Sequence, residues 1–266
     1  MVMNHRLALI AFVVILLVFC VCALAQESAP QAMSTVRVAP PSATATAEDL
    51  VARAEILHAQ KSYLDAVDYY RAALKKQNSA ITWNEMGIAQ LQLGRDEDAR
   101  KSFEKAAKLD KAYPYAINNL GVTDYKLKKY SRAIKRYKKA IELREATASF
   151  HSNLGAAYFS KKELNRALAE YQRAFQLDPT VFERNSKIGV VAQMSSPNER
   201  AEYSYLLAKM FAEAGDLNRS LDYLRKAMED GYKGIDEVYK DKEFAELRKD
   251  PRFNELMASK PVAIPQ

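Results

Sequence analysis

The sequence predicts an all-α protein, an α-solenoid of stacked antiparallel helix pairs closed by C-terminal capping helices. Three observations carry that prediction. Alanines recur at Ala66, Ala99, Ala133 and Ala167, in steps of 33, 34 and 34 residues. Each is followed four residues on by an aromatic ring, at Tyr70, Phe103, Tyr137 and Tyr171, and three further on by a second alanine, at Ala73, Ala106, Ala140 and Ala174. A small residue precedes each set, at Ala54, Gly87, Gly121 and Gly155, where two helices must approach closely. A fixed period in this range marks a helical repeat array: one helix pair cannot bury its apolar stripe alone, so the stack is the folding entity.

The N-terminus comes first in chain order. Arg6 precedes an unbroken apolar run from Leu7 to Leu24 that ends in Ala23-Leu24-Ala25. A basic start, an apolar stretch and an A-x-A site read as a secretory signal peptide over 1–25 with cleavage before Gln26. The run is also long enough to be an uncleaved membrane anchor. Either reading makes the protein exported, periplasmic or extracytoplasmic, with residues 7–24 as the alternative inner-membrane anchor. Cys20 and Cys22, the only two cysteines, both lie in this segment, so a cleaved chain would have no disulfide and no thiol metal site. Residues 26–47 carry Pro30, Pro40 and Pro41 among Ala, Ser and Thr, and are too poor in bulky apolar groups to fold; they read as a flexible linker.

Four repeats follow, at 47–79, 80–113, 114–147 and 148–181. The first departs most from the pattern, with Arg53 where the others carry Leu or Met and Leu57 in place of the motif's aromatic, as suits a repeat whose outer face meets solvent. From Ala167 to Ser220 the spacing is 53 residues, and the pattern then resumes with Leu224 and Ala227 after Leu207-Ala208. This places a fifth repeat at 201–234 behind an insertion at 182–200, whose end, Ser196-Pro197-Asn198-Glu199, is a helix-start signature. Over 235–260, Asp241 precedes Phe244 and Leu247, and Asp250-Pro251 precedes Phe253 and Leu256. Each aspartate is positioned to cap a short closing helix.

The motif W-x-x-L-G-x-x-Y, then A-x-x-x-F, then P, stands out in Trp83, Met86, Gly87, Ala99 and Phe103, in Leu120, Gly121, Ala133 and Tyr137, and in Leu154, Gly155, Tyr158, Ala167, Tyr171 and Pro179. It resembles the tetratricopeptide repeat, and the chain resembles the exported bacterial proteins of that family. The resemblance implies a right-handed superhelix whose first helices line a concave groove. Carried over slot by slot, it places Asn84, Ile88, Leu91, Tyr115, Asn118, Val122, Tyr125, Lys126, Ser152 and Phe159 on the groove, with Ala156, Ser160, Asn119 and Asn153 beside them. Amides fix a peptide backbone and tyrosines offer amphipathic contact area, so the set suits a protein or peptide segment. With Lys126 the one evident cation there, the resemblance does not extend to the branch that clamps a C-terminal carboxylate.

No catalytic constellation appears. There is no H-E-x-x-H, G-x-S-x-G, P-loop or paired-cysteine spacing. Of the three histidines, His5 lies in the signal, His58 stands alone, and His151 occupies the bulky slot held by Trp83 in the second repeat. The expectation is a protein that is not an enzyme and needs neither cofactor nor metal. The chain is basic, at a formal +7, and nine of the cations fall between Lys126 and Arg144 with Glu142 the only acid among them. Lys135, Arg136, Lys138 and Lys139 are candidates for contact with an anionic membrane surface or envelope polymer; export argues against nucleic acid. The function expected is a non-catalytic protein-protein interaction scaffold of the cell envelope. The alternative is a membrane-proximal assembly factor resting on the basic face of the third repeat. The open ends of such an array also allow a homo-oligomer.

Overall fold

The computed structural model describes residues 37–182 and 196–259. The signal or anchor expected at 1–25, much of the linker, residues 183–195 of the insertion and residues 260–266 lie outside the described residues. The chain divides into two compact units, 1–40 and 41–266; of the first, only residues 37–40 are described, and they carry no regular secondary structure.

Among the described residues of the second unit every regular element is helical. The α-helices are α1 (Ala47–Ala59), α2 (Tyr63–Lys76), α3 (Ala80–Gln92), α4 (Asp96–Leu109), α5 (Pro114–Lys126), α6 (Tyr130–Leu143), α7 (Ala148–Ser160), α8 (Leu164–Leu177), α9 (Pro197–Glu213), α10 (Leu217–Glu229) and α11 (Pro251–Ser259), with 3-10 turns at Ile235–Tyr239, Lys242–Phe244 and Leu247–Lys249 before the last. They pack as the pairs α1/α2, α3/α4, α5/α6, α7/α8 and α9/α10, and each pair leans on the next. First helices also touch one another, α3 on α5 and α5 on α7, which places them on the inner side of a right-handed solenoid.

Helix starts follow from local chemistry. Thr46 and Asp49 form a reciprocal capping box: the Thr46 hydroxyl accepts from the Asp49 amide at 3.1 Å and the Asp49 carboxylate accepts from the Thr46 amide at 3.2 Å. Ser79, Ser196 and Asp216 accept in the same way from Thr82, Glu199 and Arg219, and Pro114 and Pro197 supply the fixed φ suited to a first turn.

The turn inside each repeat is one structure used five times. A residue with positive φ closes each first helix: Lys61 (62°), Gly94 (71°), Lys128 (57°), Lys162 (61°) and Gly215 (79°). The amide after it returns to a carbonyl five residues back, as in Ser62 to Leu57, Arg95 to Gln90, Lys129 to Asp124, Glu163 to Tyr158 and Asp216 to Phe211. This is the Schellman closure, in which glycine suits the left-handed position and lysine is strained.

The core is built from the slots the period marked. Ala66, Ala99, Ala133 and Ala167 are fully buried, as are Tyr70, Phe103, Tyr137 and Tyr171. A second slot pair, twelve residues apart across each helix pair, changes its chemistry from repeat to repeat. Ser102 donates to Gln90 at 2.7 Å, Arg136 binds Asp124 at 2.7 Å, and Phe211 stacks on Tyr223.

The C-terminal segment covers the fifth pair. Phe244, Leu247, Phe253 and Leu256 are buried against Leu221, Leu224 and Ala227. Asp250 accepts from the Arg252 amide at the start of α11, as expected of a cap. Asp241 does not cap its turn. Its carboxylate Oδ2 accepts from the Tyr205 hydroxyl at 2.8 Å and pairs with Lys209 at 3.1 Å, so the side chain ties the segment to α9 instead.

Candidate functional site

The inner face is built by the first helices, so its side chains follow the repeat register. The fifth and sixth slots of successive repeats hold Asn84-Glu85, Asn118-Asn119 and Ser152-Asn153. Their amides form one chain of hydrogen bonds, all running in the same direction. Asn153 donates to Asn118 at 3.1 Å, Asn118 to Asn119 at 3.1 Å, Asn119 to Asn84 at 2.9 Å, and Asn84 to the Glu85 carboxylate at 3.1 Å. Asn118, Asn119 and Asn153 are fully buried, and every member of a buried polar network has to be satisfied for the network to stabilise the fold. The ladder meets that demand by bonding repeat to repeat.

Several residues expected on the groove therefore face their neighbours. Asn84, Ile88, Leu91, Asn118, Val122, Tyr125, Ser152 and Phe159 are buried, and the Tyr125 hydroxyl bonds to Ser160 at 2.9 Å. Tyr115 is half-buried, packed edge-on against Phe150 and under Arg144, and Lys126 is exposed and paired with Asp96 at 2.5 Å. The face carries a groove between the first and second repeats. It measures about 370 Å³ and is lined by Glu48, Val51, Ala52, Glu55 and Ile81 among others, and Ile81 is 60% exposed. None of these residues stood out in the sequence.

Electrostatics at this end are acidic. Burial raises the Glu85 carboxyl above the ordinary carboxylate value; the Asn84 bond opposes that shift and the charge of Glu55 adds to it. Tyr70 and Tyr113 are pushed up as well, by burial first and then by Glu85.

On the outer face the basic run is unevenly committed. Arg136 and Arg132 both bind Asp124, whose side chain is 2% exposed, so Arg136 is a structural counter-ion. Lys139 pairs with Glu142, and Lys138 lies over the Tyr158 ring. Lys128, Lys129 and Lys135 are exposed and form no ion pair with a described residue. His151 is buried, with Nδ1 2.7 Å from the Glu170 carboxylate and Nε2 3.0 Å from the Glu145 carbonyl, ties that hold the loop between the third and fourth pairs. Among the described residues no group of three or more His, Cys, Asp or Glu could hold a metal. A second groove, of about 790 Å³, lies between α10 and α11; its Arg252 is pinned to Asp250 and Asn218.

A TPR-repeat family model matches residues 123–162, and a tetratricopeptide-repeat model matches 80–113 and 148–181. No curated protein matches the chain. Among solved structures, the chain is similar to TTC0263, a thermophilic TPR protein in Thermus thermophilus, at 19% identity with a TM-score of 0.50, covering 80% of this chain and 100% of that one. It is also similar to MamA from Desulfovibrio magneticus RS-1, at 20% identity over 73% and 97% of the two chains with a TM-score of 0.48. A third neighbour is YrrB, described as a TPR protein with an unusual peptide-binding site, at 18% identity over 73% and 91% with a TM-score of 0.46. The register of small and aromatic slots, the helix pairs that this register builds and both family models agree: residues 80–113 and 123–181 are tetratricopeptide repeats.

Proposed function

We propose that the chain is a non-catalytic scaffold of the cell envelope that binds a protein or peptide segment along its inner face. The observation that carries this reading is the inner face itself. A buried amide ladder fixes the spacing of the first helices, while Ile81, Tyr115 and Lys126 remain available at its surface. A face held by the stack is preorganised, so little ordering cost falls on the scaffold when a partner binds. The envelope assignment rests on the apolar run at 7–24, and N-terminal sequencing of the protein recovered from cells distinguishes cleavage before Gln26 from retention as an anchor.

The test is an in-cell crosslinking pull-down comparing the natural chain with a variant carrying Ile81→Asp, Tyr115→Ala and Lys126→Ala. These positions spare the ladder, so equal helicity of the two proteins is expected and is checked by circular dichroism. A protein recovered with the natural chain and lost with the variant supports the reading; equal recovery refutes inner-face binding.

The alternative reading, contact with an anionic membrane surface or envelope polymer, is favoured by the uncommitted charges of Lys128, Lys129 and Lys135. Co-sedimentation with phosphatidylglycerol vesicles should then fall steeply with added salt and be lost when those three lysines become glutamine. Arg136 is left intact in that test because removing it would expose the buried Asp124 carboxylate to a folding penalty.

A further inference from the structure

The amide ladder obeys a rule that breaks at one place. The fifth-slot amide of one repeat accepts from the sixth-slot amide of the next, as Asn84 does from Asn119 and Asn118 from Asn153, each pair 35 residues apart. Applied one repeat earlier, the rule pairs Val51 with Glu85. An apolar residue stands where the acceptor should be, and a carboxylate stands where the donor should be. The ladder therefore ends on Glu85, whose Oε1 accepts from Asn84, while no described residue donates to its second oxygen.

The surroundings of that end have a definite shape. Val51 and Glu55 are four residues apart on α1 and share a face, as do Ile81 and Glu85 on α3. The two helices are first helices of successive repeats, and each carries an apolar residue one turn before a carboxylate, Val51 before Glu55 and Ile81 before Glu85; the ladder register sets Val51 level with Glu85, so Ile81 lies one turn before that level and Glu55 one turn after it. Val51, Glu55 and Ile81 line the 370 Å³ groove, and the charge of Glu55 reaches Glu85. No described basic side chain pairs with either carboxylate. An aliphatic strip that leads to two uncompensated carboxylates is the complement of one common group, a long alkyl stem ending in a cation.

We propose that this patch receives a lysine or arginine side chain of the bound segment, its stem packed between Val51 and Ile81 and its head bonded to Glu55 and Glu85. The proposal rests on the inner-face reading above and gives it a partner chemistry. It also orients the segment, since the basic residue must lie at the N-terminal end of the array. The cation would relieve the mutual repulsion of the two carboxylates and satisfy the open oxygen at the end of the ladder. A carboxylate sharing a desolvated site with a cation bonds more strongly than a neutral acceptor would.

The test uses the full chain and a random peptide library displayed on phage. Three proteins are panned: the natural chain, the Glu55→Gln/Glu85→Gln double variant and Lys240→Gln, a change at an exposed position of the C-terminal segment. Glutamine keeps the size of each side chain and an oxygen for Asn84, so the fold is retained, which circular dichroism verifies. The natural chain and Lys240→Gln are expected to enrich peptides with a shared Lys or Arg position. The double variant should bind those peptides about tenfold or more weakly. Replacing the peptide lysine by norleucine, which keeps the stem and deletes the charge, should give a similar loss by calorimetry. Enriched peptides that lack a basic position, or that bind the double variant equally well, overturn the proposal and leave inner-face binding standing. No enrichment by any of the three proteins overturns inner-face peptide binding and the proposal with it.

Discussion

The ring of Tyr137 lies against the α-carbon of Gly121 so closely that a Cβ built there would sit 2.5 Å from its Cε1. The same contact recurs between Gly155 and Tyr171 and between Gly87 and Phe103, at 2.6 and 2.5 Å. In the first repeat Ala54 fills the slot opposite Tyr70, and both are buried. Helix separation in the second, third and fourth pairs is therefore set by the thickness of one aromatic ring. Gly121→Ala should destabilise the protein by about 1–3 kcal/mol, because the ring cannot retreat into an already filled core. The gain of roughly 1 kcal/mol in helix propensity offsets this only in part. Urea unfolding checks it, with the midpoint expected to fall.

Tyr137 and Tyr171 make a second prediction through their hydroxyls. Both oxygens are buried with no hydrogen-bond partner among the described residues, whereas the second repeat has Phe103 in that slot. An unmade buried hydrogen bond carries a desolvation penalty of about 1–3 kcal/mol, so Tyr137→Phe should leave stability unchanged or raise it by about 1 kcal/mol. Thermal unfolding followed by circular dichroism decides the sign.

These phenols also set an alkaline limit. Burial raises Tyr137 and Tyr171 well above the ordinary value of 10.0, and Tyr203 is raised by burial too. A folded-state value above the unfolded one means the stability is complete below pH 10 and declines as pH rises beyond it. Each buried phenol contributes about 1.4 kcal/mol per pH unit to that decline. Tyrosinate absorbance should appear in two stages, exposed rings first and the buried ones together with loss of helix. The double variant Tyr137→Phe/Tyr171→Phe should unfold at higher pH than the natural chain.

Strain at the repeat turns is open to correction. Lys128 and Lys162 hold φ of 57° and 61°, where the first helix of the second and fifth repeats ends on Gly94 and Gly215. Lys128→Gly should raise stability by about 1 kcal/mol, the side-chain penalty of the left-handed region. The urea midpoint would shift up with an unchanged slope.

Much of this architecture was legible because the period constrains volumes. A glycine and a ring recur in fixed slots, so Gly121 and Tyr137 were each legible as packing positions, while their contact within one repeat is set by how α5 and α6 cross. The inner face was less legible. Asn118 and Asn153 read as groove amides, but whether an amide points outward or at the next helix depends on how far the helices are rotated about their axes, which spacing does not encode. The Asp124–Arg136 pair was hidden for a related reason: a charge run looks solvated unless its buried counter-ion is known. Lys61, Lys128 and Lys162 gave no turn signal because lysine is not chosen for positive φ; tertiary packing imposes it.

The one-way ladder has a mechanical consequence. Amide bonds tie the second repeat to the third and the third to the fourth, while at the junction of the first and second the corresponding slots hold Val51 and Glu85, which cannot form that bond. In an array whose stability is a sum of nearest-neighbour couplings, a junction without that tie lacks its contribution. The first helix pair, which has a neighbouring pair on one side only and no such tie to it, should exchange the amides of α1 and α2 ahead of those of α5 to α8. A partner that bridges Glu55 on α1 to Glu85 on α3 would act as a rivet across that joint, and its arrival would register as slowed exchange in a pair of helices rather than as a change of shape.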